Sequence, residues 1–233
     1  MTMDLYVLHE ARTVAGIAGV DPPACESIAL STEDPSKVLF SFVGGNPLSG
    51  HWLVDLDLPG ERVACWSGTL AGDEDLFAAH PHNWMSPGAE ALEGMLREVL
   101  PQFEATGRSL CLVPHARHVL SDVQGTINLV RANQGGALEV ALAPASLLVP
   151  SMLDTLEDHL ERSFSTLSQA ASFLFLEDLA VDPVHENLVP VDFGEGVLDK
   201  AMLREAVRRH WPEDRPVVLR PGNLEAQLEW LRA

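Results

Sequence analysis

Short apolar runs punctuate the chain at residues 5–8, 27–30, 38–43, 62–66, 110–113, 138–142, 173–176 and 217–219. They are rich in Val, Leu and Phe, and their hydrophobicity is continuous rather than strictly alternating. A strand buried on both faces has this character, so the pattern predicts a parallel sheet covered by helices, with eight runs matching the eight strands of a closed barrel.

The later runs alternate with segments of helical period. A helix opens at Ser86-Pro87 and places Leu92, Met95, Leu96, Val99 and Leu100 on one stripe. A second spans 121–133, with Ser121 or Asp122 as its cap and Gly135-Gly136 as its stop. A third spans 151–170 and carries the stripe Leu153, Leu156, Leu160, Phe164 and Leu167. A fourth, 199–210, is opened by Asp199 and faces the core with Met202, Leu203 and Val207; the last covers 224–231. These five helices follow strands four to eight.

The first half is compressed. A βαβ unit takes about 30 residues or more, and roughly 60 are available before Arg62. Residues 10–19 can form one helix, 33–37 allow only a turn, and 46–60 are interrupted by Pro47, Gly50 and Pro59. The expectation is a single α/β domain over residues 1–233, a (β/α)8 barrel with shortened or missing helices in its N-terminal half. An apolar flank left open there would suit a homo-oligomer or a protein partner.

Composition adds to this picture mainly through charge. The 233 residues are 46% hydrophobic, enough for a sizeable core. Fifteen Lys and Arg against 34 Asp and Glu give a net charge of −19, which repels phosphate backbones and anionic lipid and so argues against nucleic-acid and membrane partners. Cys25, Cys65 and Cys111 are an odd, widely separated set without Cys-x-x-Cys spacing; they read as buried thiols in a reducing compartment. No basic, apolar leader opens the sequence, and the apolar stretch 137–153 is broken by Glu139, Pro144 and Pro150. A cytoplasmic location is expected.

The segment Phe173-Leu-Phe-Leu-Glu-Asp-Leu179, followed by Gly194-Glu-Gly-Val-Leu-Asp199 and a helix, resembles the sugar-phosphate isomerase and epimerase family with a xylose isomerase-like TIM barrel. That resemblance extends back to His80-Pro-His-Asn-Trp-Met-Ser-Pro87, similar to the family's loop after the fourth strand. In the family, strand seven carries His-x-Lys-Asp, strand five ends in a metal-binding glutamate, strand six in an aspartate and strand eight in a glutamate. The matching positions here read Phe175 with Glu177 and Asp178, then Val113 before Pro114-His115, Ala143 before Pro144, and Arg220. The resemblance therefore implies a retained scaffold whose divalent-metal shell is gone, and no cofactor is expected. A related class of barrel endonuclease is disfavoured by the same missing ligands and by the charge.

Polar candidates remain at the predicted strand ends. His115 and Asp178 are the candidate acid/base pair of a metal-independent sugar (phosphate) isomerase or epimerase. Trp66, His82, Asn83, Arg117, Glu177 and Arg220 are candidate contacts to a small sugar or sugar phosphate, with Trp66 and Trp84 able to stack on a sugar face. Each has a plainer role: a loop histidine bonded to backbone or water, a tryptophan under a loop, or a Glu177–Arg220 ion pair filling the space a metal would take. His80, His118 and His185 lie in similar places, and three histidines from separate loops could also ligate zinc. The function expected from the whole is a non-catalytic carbohydrate- or partner-binding relative of the isomerases, with the metal-independent enzyme as the alternative.

Overall fold

The computed structural model describes residues 3–73, 75–183 and 187–232. Among these residues there are ten strands: β1 (Leu5–Glu10), β2 (Ser27–Ser31), β3 (Val38–Phe42), β4 (Arg62–Trp66), β5 (Ser109–Val113), β6 (Leu138–Leu142), β7 (Phe173–Leu176), β8 (Asp178–Asp182), β9 (Asn187–Val191) and β10 (Val217–Leu219). Eight close into a barrel in the order β1, β10, β7, β6, β5, β4, β3, β2, while β8 and β9 form a separate antiparallel hairpin.

Seven barrel strands are mutually parallel. The exception is β2, which pairs antiparallel with both neighbours, against the expectation that every strand would run the same way. Its cause is chain length. Only residues 32–37 join β2 to β3, whereas a parallel crossover needs about a dozen or more residues. This short connection is closed by Lys37 N–H donating to the Asp34 carbonyl at 2.9 Å.

The helices follow the sequence pattern. α1 (Ala11–Ala18) leads from β1 to β2 and ends at Gly19, which takes a left-handed φ of 68°. α2 (Ser86–Thr106) follows β4, α3 (Val123–Ala132) follows β5, α4 (Leu156–Leu167) follows β6, α5 (Lys200–His210) follows β7 and its hairpin, and α6 (Leu224–Arg232) follows β10. Asp122 caps α3 by accepting from Gly125 N–H at 2.8 Å, and Asp199 caps α5 by accepting from Met202 N–H at 2.9 Å. The start of the predicted 151–170 helix is a 3-10 turn over Pro150–Thr155. No helix covers residues 43–61; the Arg108 guanidinium ties this loop down by donating to the Leu56 and Gly60 carbonyls.

Two apolar clusters lie outside the barrel wall. One packs α4, α5 and α6 on β6, β7 and β10 through Leu160, Phe164, Leu203 and Val207. Another packs α2 on β4 and β5 through Leu92, Leu96 and Phe103. The barrel's own interior is filled by alternate residues of each strand: Tyr6, Ala29, Phe40, Ala64, Cys111, Ala141, Phe173 and Val218, with Phe40 and Phe173 stacked at 4.6 Å between centroids. Burial pushes the Cys65 and Cys111 thiols well above their ordinary range. Among the described residues no helix is long and apolar enough to cross a membrane.

Candidate functional site

Two-residue periodicity carries the inward-facing set one step further toward the C-terminal ends of the strands. Trp66 follows Ala64, Val113 follows Cys111, Ala143 follows Ala141, Phe175 follows Phe173, and Arg220 follows Val218. Leu8 and Phe42 complete this upper layer from β1 and β3. At this layer lies a cavity of about 280 Å³ whose lining reaches down to Phe40 and Phe173 and includes Phe42, Trp66, Glu177 and Arg220. Pockets for drug-sized ligands run from roughly 300 Å³ upward, so this one suits a small molecule.

Glu177 is 6% exposed and its Oε2 accepts from Arg220 Nη1 at 3.2 Å. Burial pushes its carboxyl above the ordinary range, while Arg220 pulls it back down. Glu177 also lines a second, smaller cavity of about 140 Å³ beside the mouth, together with Trp66, His115, Arg117, Leu188 and Pro190. Trp66, Glu177 and Pro190 thus border both spaces, with Pro190 supplied by the β8–β9 hairpin.

His115 accepts from Arg117 N–H through Nδ1 at 3.1 Å, which leaves Nε2 as the protonated nitrogen of a neutral ring. Burial, and then the nearby His118 and Arg117, push its pKa down to about 3. Its neighbour His118 is 0% exposed, bonds the Leu76 carbonyl through Nε2 at 3.0 Å and stacks on Phe77. Burial pushes His118 down to about 4, against the opposing effect of that bond.

Asp178 occupies itself with backbone. Oδ1 accepts from Leu179 and Leu198 N–H at 2.9 and 3.2 Å, and Oδ2 accepts from Gly194 and Gly196 N–H, both at 3.1 Å. Glycine is required twice in this arrangement. Gly194 has φ of 94°, and a Cβ on Gly196 would run into the Asp178 carboxylate and the Leu179 carbonyl. The Gly-x-Gly loop is therefore built around the aspartate.

Asn83 has a similar occupation. Its Oδ1 accepts from Leu70 N–H at 2.7 Å, and its Nδ2 donates to Thr69 Oγ1 at 2.8 Å and to the Arg117 carbonyl at 2.7 Å. His82 is exposed on the 3-10 turn ahead of α2, and Trp84, 52% exposed, donates from Nε1 to the Ala116 carbonyl. Of the residues singled out in the sequence, Trp66, Glu177 and Arg220 meet at the mouth and His115 and Arg117 in the adjoining cavity. His82, Asn83 and Asp178 line neither, and His185 lies outside the described residues. The mouth also contains Glu10 and Glu26, which the sequence reasoning missed. Continuing the alternation Tyr6, Leu8 by one step would have found Glu10.

A divalent cation needs several oxygen or nitrogen donors converging at about 2.0–2.6 Å. Val113, Ala143 and Phe175 offer none, and Arg220 is itself a cation engaged with Glu177. Among the described residues no three His, Cys, Asp or Glu side chains gather in a metal-binding group. The donor set at the mouth does not fit such an ion.

No protein-family model matches the sequence, and no curated protein matches it. Similarity appears among solved structures. The probable 3-DHS dehydratase AsbF involved in petrobactin synthesis from Bacillus anthracis superposes with a TM-score of 0.57 at 12% identity, over 84% of this chain and 77% of that one. Endonuclease IV from Thermus thermophilus gives 0.50 at 16% identity, over 74% and 62%. A xylose isomerase-like TIM barrel protein from Mycobacterium smegmatis, solved with magnesium, gives 0.43 at 11% identity, over 74% and 60%. D-psicose 3-epimerase and L-ribulose 3-epimerase are also neighbours, of which the chain spans 55% and 54%. The closed barrel, its five C-terminal βα units and the likeness to the dehydratase and endonuclease IV structures place the chain in one fold, the (β/α)8 TIM barrel, here with one reversed strand and a thinned N-terminal half.

Proposed function

We propose that this chain is a non-catalytic, small-ligand-binding relative of the sugar and sugar-phosphate isomerases and epimerases, working without a metal ion. The observation that carries the reading is the upper interior layer. Val113, Ala143 and Phe175 stand where the resemblance expects metal ligands, and the buried carboxylate beside them, Glu177, is paired with Arg220.

Acid/base catalysis near neutral pH is most efficient with a group whose pKa lies close to the working pH. His115 is driven far below that range, and both Asp178 oxygens are already taken by backbone N–H groups. What His115 keeps is a neutral Nε2–H donor beside the mouth, and Trp66 adds aromatic surface. These groups hold a ligand rather than transfer its protons. The net charge of −19 argues for a partner other than nucleic acid or anionic membrane, and the three unpaired thiols suit a cytoplasmic location.

The test combines titration calorimetry with turnover assays over ketoses and related small metabolites, with and without added Mn²⁺ or Mg²⁺. The account expects saturable binding that weakens on Trp66→Ala, with no turnover under any condition. Turnover abolished by His115→Ala would replace it with the metal-independent enzyme.

A further inference from the structure

We propose that the mouth cavity selects a small organic cation, a primary or quaternary ammonium on an apolar body, in preference to a sugar phosphate. This rests on the mouth being a ligand site, and it follows from the sign of the charges there. Among the described residues, Glu10, Glu26 and Glu177 line the cavity against one basic lining residue, Arg220. Arg220 is engaged with Glu177 at 3.2 Å, and the other lining carboxylates are Glu26 and Glu10, whose Oε2 also accepts from Thr13 Oγ1 at 3.3 Å.

Those two carboxylates sit at one rim. Glu10 ends β1 opposite Ser27, the first residue of β2, and Ser27 in turn lies opposite Phe42 of β3. Phe42 and Trp66 form the adjoining wall, edge to face at 5.6 Å between centroids. Aromatic faces carry negative quadrupole density and attract cations, an effect of about 0.5–2 kcal/mol that grows as water is excluded. Carboxylates above aromatic walls favour an ammonium group on both counts. A phosphate in the same space would meet two carboxylates at the rim and would share Arg220 with Glu177. The chain's overall charge of −19 acts in the same direction by concentrating cations near the surface.

The experiment uses three probes of one shape and different charge: phenethylammonium, 2-phenylethanol and phenylacetate, titrated at low ionic strength by calorimetry and Trp fluorescence. Phenethylammonium is expected to bind about tenfold or more tighter than the other two, the equivalent of about 1.4 kcal/mol. A Glu10→Gln/Glu26→Gln variant, altered at exposed carboxylates and checked by circular dichroism, is expected to lose most of that preference. Equal or tighter binding of 2-phenylethanol or phenylacetate would overturn the cation assignment while leaving the mouth as a ligand site. A preference unchanged in the double variant would move the cation off this cavity and overturn the assignment too. Failure of all three probes to bind at about 10 mM would overturn the cation assignment, while the ketose titrations decide the binding function separately.

Discussion

Replacing Arg220 with Met isolates the ion pair at the barrel mouth. Glu177 has a side chain 4% exposed, so the substitution leaves a desolvated carboxylate without its cation. Breaking a fully buried pair costs about 3–5 kcal/mol, whereas an exposed pair contributes about 0–1 kcal/mol. Arg220 is 37% exposed, which places this pair between those limits, and a loss of about 2 kcal/mol is expected at neutral pH. Glu177→Gln should cost less, about 1 kcal/mol or under, because the guanidinium left behind can reach water. The double variant should recover much of the Arg220→Met loss, since no buried charge then remains. Urea denaturation of all four proteins gives the cycle. The pH dependence supplies an independent check on sign. Glu177 is held above its ordinary value of 4.5, so the folded chain binds more protons than the unfolded one; its contribution is full below about that value and is lost as pH rises through the raised folded one. Removing Arg220 raises it further, so the penalty of Arg220→Met should shrink on acidification. An Arg220→Met loss no larger than that of Glu177→Gln, and flat with pH, would refute the reasoning.

Other outcomes follow from the same geometry. Asp178→Ala removes the acceptor of four backbone N–H groups and is expected to destabilise the fold by about 3 kcal/mol or more in chemical denaturation, with Asp178→Asn losing less; a change under about 0.5 kcal/mol would contradict the staple role. In an NMR titration of the imidazoles, His115 and His118 are expected to stay neutral from pH 7 to below 5. Their folded values of about 3 and about 4 lie under the ordinary 6.5, so the stability they contribute is present above 6.5 and lost as pH falls toward those values; titration near 6.5 would contradict their burial. Gly196→Ala should lower stability and open the loop over Asp178, seen as faster amide exchange at Leu179 and Leu198.

Much of the barrel was legible in the chain because its strands are buried on both faces and its later helices are long and amphipathic. Residues 62–66, 138–142, 173–176 and 217–219 became strands with the expected bounds, and Asp122 and Asp199 became caps. The direction of β2 was not legible, since hydrophobicity marks a strand without fixing which way it runs. The 32–37 connection held that information in its length. The β8–β9 hairpin was not legible, because its runs are short and include Asp178, Asp182 and Pro190. For the site, strand-end positions such as Trp66, Glu177 and Arg220 could be read from the pattern. The occupations of Asn83 and Asp178 could not, because they depend on backbone N–H and carbonyl groups brought together from distant loops. Chemistry-bearing residue types were visible; whether their polar atoms were already spent was a property of the fold.

The central claim is that the scaffold persists while its metal shell has been replaced by Val113, Ala143, Phe175 and the Glu177–Arg220 pair. Equilibrium dialysis of the purified protein against Mn²⁺ and Zn²⁺, followed by elemental analysis, tests it most directly. The account predicts no saturable site, only weak uptake that vanishes with added salt, as expected for a surface of charge −19. One tightly held ion per chain, retained in salt and lost in Glu177→Gln, would contradict it.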